Sequence, residues 1–231
     1  MRIIAALLLT SIALVASAQE TVDAQATPSS LDPFALYGSD IAFDILRNGK
    51  RVGDHRVTFQ RDGERLIVTN RMTIAIEILF VTAYRFSYEA VETWAGGRLE
   101  SLDVHTNDDG TKTAVTARAE GAGLRISGLK GSYVSARPLL PTTHWNTAQP
   151  TQDQVLNTLD GKTDPGPAAR LGIDVVNLPH ASIQAEHFEY TGELKGTETW
   201  YDPNGRWVKL RFKGRDGSVI EYRCVRCGPG A

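Results

Sequence analysis

The chain has 231 residues, 42% of them hydrophobic and 23% charged, with 25 basic side chains against 27 acidic ones and a net charge of −2. That length suffices for one generous core, and all-β domains of this size are commonly undivided. Near-balanced charge, with neither sign gathered into a block, argues against nucleic acid or any other polyanion as an electrostatic partner.

Residues 1–18 read as a secretory signal. Arg2 supplies the positive start, Ile3 to Val15 the apolar segment, and Ala16-Ser17-Ala18 the small-residue cleavage pattern ahead of Gln19. The apolar run is shorter than the about 20 residues that a membrane span needs, and no later stretch qualifies. The expectation is an exported chain, periplasmic or secreted, that does not span a membrane. Residues 19–38 have no periodicity and are expected to form a flexible lead-in, with Phe34, Leu36 and Tyr37 available to pack on the domain.

Strands begin at Ile41, where Ile41, Phe43 and Ile45 alternate with smaller or polar neighbours. Asn48-Gly49 is the pair that a two-residue hairpin favours, and Asp62-Gly63 offers a second turn after the strand 51–60. The stretch from Leu66 to Trp94 then organises the chain. Its even positions, among them Leu66, Val68, Met72, Ile74, Ile76, Phe86 and Tyr88, are large and apolar, while Arg71, Thr73, Glu77, Arg85 and Glu89 hold odd ones. Period two without Gly or Pro means a half-buried sheet. One straight strand of that length would be too long for a domain, so a turn is expected near Ile78 to Ala83.

Turn signals recur at Gly96-Gly97, Asp109-Gly110, Gly121-Ala122-Gly123 and Gly128 to Gly131. The intervals fit a sandwich or barrel. Residues 137–172 break the pattern: five prolines and no strand period mark a loop insertion, within which Gln152 to Leu159 offers a short helix. Strands resume at Ile173 and continue to Val225. The sequence thus predicts an all-β antiparallel meander of about eleven strands, forming a half-open or closed barrel over residues 39–231.

Two local motifs invite chemistry. Cys224-Val225-Arg226-Cys227 has redox spacing but follows a strand instead of opening a helix, and a zinc site would need further ligands that no nearby His supplies. In an exported chain a small disulfide is the better reading. Pro141-Thr142-Thr143-His144-Trp145-Asn146 sets His144, Trp145 and Asn146 together in a Pro-framed loop, where stacking, proton transfer and hydrogen bonding would serve a ligand. The competing reading makes Trp145 a plug and gives His144 and Asn146 to the loop's own backbone. His55, His105, His180 and His187 lack metal-ligand spacing, and Glu77, Glu89 and Glu92 read as solvent-facing. No nucleophile elbow, phosphate loop or nucleotide fingerprint occurs, so neither metal nor cofactor is expected, and an enzyme is the least favoured class.

Three segments, RNGKRVGDHRVTF, YRFSYEAVETWAGGRLESLDVHTN and PTTHWN, resemble an exported bacterial family, domain of unknown function 6134, itself similar to the periplasmic domain of unknown function 3108 group. The resemblance spans about residues 39–223. It implies a barrel-like envelope protein and carries no catalytic residues with it. Two functions are expected on these grounds. One is binding or carrying an apolar, lipid-like ligand with residues 137–172 as lid; the other is assembly with an envelope protein through a sheet edge, for which residues 98–136 are candidates.

Overall fold

The computed structural model describes residues 31–78 and 81–229. The signal segment and the cleavage site before Gln19 lie outside them. Within the lead-in, Pro33–Tyr37 form a short helix, α1, started by Asp32, whose carboxylate accepts the Phe34 N–H at 3.0 Å. Tyr37 is buried, and its ring stacks on Phe59 with centroids 5.6 Å apart.

Eight strands then run up and down: β1 (Asp40–Arg47), β2 (Lys50–Asp62), β3 (Arg65–Ile78), β4 (Val81–Ala95), β5 (Arg98–Asp108), β6 (Thr111–Glu120), β7 (Gly123–Gly128) and β8 (Gly131–Val134). Asn48 and Gly49, with φ of 49° and 82°, make the β1–β2 turn, and Asp109 and Gly110 repeat it between β5 and β6. Both are the left-handed pairs that match the twist of a hairpin. The turn expected near Ile78 to Ala83 lies between β3 and β4, with its tip, residues 79–80, outside the described residues.

The insertion is not structureless. It holds β9 (Leu140–Pro141), β10 (Gln154–Leu156) and β11 (Thr163–Pro165), a small sheet in the order β11-β10-β9. Where the sequence suggested a helix over Gln152 to Leu159, Val155 and Leu156 instead sit in β10, both buried, with neighbours on either side. Ladder partners on both sides, in β9 and β11, override a local helical spacing of only two turns. Then β12 (Ala169–Asn177), β13 (Ser182–Glu189), β14 (Glu198–Tyr201), β15 (Trp207–Lys213) and β16 (Val219–Arg226) form a second meander. β16 pairs with β1, which fuses both meanders into one antiparallel sheet of 13 strands with β12 and β8 at its edges.

One face of the sheet is apolar. Ile41, Phe43, Ile45, Val57, Val68, Ala90, Leu102, Val104, Val115 and Ile126 are all buried there, spaced two apart within their strands. The alternating stretch keeps its expected parity, but its burial fades toward the β3–β4 turn: Ile74, Ile76 and Phe86 are only half-buried. The opposite face is laced with exposed pairs such as Arg71–Glu89 at 2.9 Å and Arg118–Asp103 at 2.6 Å, which add little stability individually.

The insertion spans between the edges. On the β7–β8 side, Leu129 N–H donates to Asp160 O at 2.9 Å and Tyr133 Oη to Gly161 O at 3.1 Å. On the β13–β14 side, Lys162 meets Glu193 at 2.6 Å. The close approach demands glycine, since a Cβ on Gly161 would lie 2.7 Å from Gly128 Cα.

Candidate functional site

His144 takes a left-handed backbone conformation, φ 64°. Its neighbours hold it there: the His144 N–H donates to Gln149 Oε1 at 3.0 Å, and the His144 carbonyl accepts from Tyr201 Oη at 2.8 Å. The Trp145 carbonyl accepts from Tyr37 Oη at 2.8 Å, and that same phenol oxygen accepts the Trp207 N–H at 3.0 Å. Helix α1, the insertion and β15 are thereby tied at one phenol.

The Trp145 side chain fills the core. It is 2% exposed, edge-on to Trp94 and Phe59 with centroids 5.5 and 5.6 Å away. Its indole Nε1 donates to Glu92 Oε2 at 3.0 Å, where Trp94 Nε1 also donates at 2.7 Å, and Asn70 Nδ2 reaches Glu92 Oε1 at 3.1 Å. Glu92 is therefore not a solvent-face residue as its charge suggested. It lies at 0% exposure on the apolar face, at an even position of the alternating stretch. Burial pushes its carboxyl up to about 7, against the opposing pull of these donors. Parity alone was the signal that placed it inside.

Of the other residues singled out, His144 packs its ring 5.3 Å from Trp207 and has Nδ1 3.2 Å from Tyr190 Oη, while burial pushes its pKa down to about 3. Asn146 Oδ1 accepts the Ala148 N–H at 3.0 Å and turns the backbone. His55 is buried among Phe43, Trp207 and Tyr222, and its pKa falls to about 4. Such neutral imidazoles and a carboxyl held by indole donors suit packing and anchoring. Cys224 and Cys227 form a disulfide with S–S 2.07 Å at the end of β16, away from His144 in the sequence and with no free thiol to act as nucleophile.

A different place offers room. At Val52, β2 carries an extra residue: Ile45 faces Gly53, whereas Leu46 faces Arg51. The β2–β3 ladder ends at Gly53 and Ile74, while β3 and β4 continue together to Ile78 and Val81. β5 also leaves β4 at Phe86. The cleft opened by this divergence has a volume of about 730 Å³. Half-buried Val52, Ile74, Ile76 and Phe86 line it together with Arg47, Lys50, Arg51 and Arg85. Gly53 sits at the fork, where a Cβ would fall 1.9 Å from Thr73 O.

No curated protein matches the chain. The profile described as domain of unknown function (DUF6134) matches residues 43–225, from the first strand through the insertion to the disulfide-bearing last strand, and the chain belongs to that family.

Proposed function

We propose that this chain is an exported, periplasmic or secreted binding protein for a lipid-like molecule. The 13-stranded sheet acts as a half-open barrel sealed by the insertion, and the ligand lodges at the cleft between β2 and the β3–β4 hairpin. The observation that carries the reading is the row Val52, Ile74, Ile76 and Phe86, left half-buried around a space of about 730 Å³. That size falls within the roughly 300–1,000 Å³ of ordinary small-molecule pockets, and the four apolar side chains offer an acyl chain a strip of hydrocarbon within an otherwise polar lining. The loop bearing His144, Trp145 and Asn146 serves in this reading as the plug that closes the barrel's core, since all three are engaged by the protein itself. Export rests on the character of residues 1–18. Solvent extraction of protein purified from its native compartment, followed by mass spectrometry, tests the idea against an Ile76→Ser variant. Retention of an acyl-chain compound by the native protein, reduced in the variant, is the expected result; its absence from both defeats the reading.

A second reading has its own support. Among the described residues edge strand β12 has a ladder partner on one side only, and Leu171, Ile173 and Val175 along it are 53, 60 and 67% exposed. An open edge with apolar side chains suits the addition of a strand from an envelope protein. A photo-crosslinking residue at position 173 that captures no protein in intact cells counts against it.

A further inference from the structure

We propose that Arg215 gates the cleft: its ion pair with Asp108 bars the mouth on the inner, apolar face of the sheet, and an apolar occupant enters and leaves when that pair parts. This rests on the reading of the cleft as a lipid-like site and adds what controls passage into it.

One rung of the sheet crosses the cleft. Register sets Tyr222, Ile45, Gly53, Ile74, Phe86 and Asp108 side by side on β16, β1, β2, β3, β4 and β5. Residues paired in this way share a face, here the one that buries Ile45 and Tyr222. Gly53, Ile74 and Phe86, from the middle of the rung, line the cleft, and Gly53 adds no side chain, which leaves a gap between Ile45 and Ile74. Measured along the sheet, β16 and β5 are five strand spacings apart, about 24 Å. The β15–β16 turn sets out from the β16 end of this rung and nevertheless meets Asp108 at the other, where Arg215 Nη2 donates to Asp108 Oδ2 at 2.9 Å. The turn and its arginine therefore cross the inner face in front of Ile74 and Phe86.

This strap is fastened at both ends. Arg47, itself part of the cleft wall, donates from Nη2 to Asp216 Oδ2 at 2.5 Å and from Nε to Ser218 Oγ at 3.2 Å. On the far side Tyr84 Oη donates to Asp108 Oδ1 at 2.8 Å, which leaves Oδ2 for the guanidinium. The turn is braced from within: Asp216 Oδ1 accepts the Ser218 N–H at 3.0 Å, and the Gly217 N–H donates to Gly214 O at 2.9 Å. The part free to move is the Arg215 side chain, 92% exposed. Ion pairs so open to water are weak and screened by salt. Such a pair adds little to folding, but it can part and re-form without loosening a strand.

Stopped-flow fluorescence with N-phenyl-1-naphthylamine, a neutral apolar probe, gives association and dissociation rates for the native protein, Arg215→Gln and Ile76→Ser. Arg215→Gln should speed both rates about fivefold, the most that an exposed ion pair contributes, and leave Kd and the urea midpoint nearly unchanged. Raising sodium chloride from about 0.05 to about 0.5 M should speed exchange in the native protein and not in the variant. Rates unaltered by Arg215→Gln, or native exchange indifferent to salt, overturn the gate; weaker binding by Ile76→Ser then leaves the cleft reading standing. Failure of the probe to bind the native protein, or equal binding by Ile76→Ser, removes the cleft reading and this inference together.

Discussion

Replacing Glu92 by Gln isolates one buried proton. The folded carboxyl titrates near 7 against an unfolded value of 4.5, because burial outweighs the donors on Asn70, Trp94 and Trp145. An acid whose folded pKa is raised keeps its proton in the native state after the unfolded chain has released it. Stability therefore falls as pH climbs from about 4.5 to about 7, by roughly 1.4 kcal/mol per unit and about 3 kcal/mol in all. Buried histidines oppose this slope. His55 and His144 titrate near 4 and 3 when folded, so the unfolded chain takes up protons first and stability rises with pH up to about 6.5. The native profile alone is thus a sum of opposing slopes. Urea midpoints from pH 5 to 8 for the native protein and Glu92→Gln, subtracted, leave the Glu92 contribution, because the histidines are common to both. The difference should move in favour of the variant as pH rises, approaching about 3 kcal/mol above pH 7. A flat difference would mean that Glu92 ionises as an exposed carboxylate does, and the account of its carboxyl as raised by burial would be wrong.

Trp145→Ala should cost about 3–5 kcal/mol in chemical denaturation, since it empties a fully packed aromatic site and strips a donor from Glu92; an unchanged midpoint would make the insertion a lid. Gly53→Ala forces a Cβ onto Thr73 O and should cost about 1–3 kcal/mol, with loss of amide protection concentrated in the β2–β3 ladder near the cleft. Val68→Asp puts an unpaired charge at 0% exposure and should destabilise by at least about 3 kcal/mol. Ile76→Asp at the half-buried end should cost a fraction of that, and equal losses at the two positions would deny the burial gradient along β3.

The alternation of Leu66 to Trp94 was readable because a sheet with one wet face writes its period into the sequence, and the Asn-Gly and Asp-Gly turns fixed where two hairpins reverse. The disulfide likewise followed from two cysteines and the absence of nearby ligands. Other features depended on partners outside the local run of residues. Val155 and Leu156 have a helical spacing with Leu159, yet Leu140 and Asp164 recruit them into a ladder. Glu92 was misassigned by chemistry although its even number placed it correctly. A carboxylate becomes tolerable inside only when donors such as the indoles of Trp94 and Trp145 converge, and one of those arrives from a segment 53 residues away. The cleft was least legible of all. It arises from one extra residue in β2, invisible to a period-two reading that treats Arg51 to Gln60 as an even strand.

The pairing of β1 with β16 has a temporal consequence. The first strand of the sheet lies between the second and the last, so its outer rungs remain unsatisfied until residues near 219–226 have left the ribosome. Eight strands can zip locally as hairpins, but joining them to the other five closes a loop that spans almost the whole chain, a step that is entropically slow. Until that closure, β1 offers an unpaired edge and the aromatic surface of Phe43 to any neighbour. A chain cut short before β16 would retain this exposed seam in the middle of its intended sheet, which makes the C-terminal strand the element that converts a sticky intermediate into a finished protein.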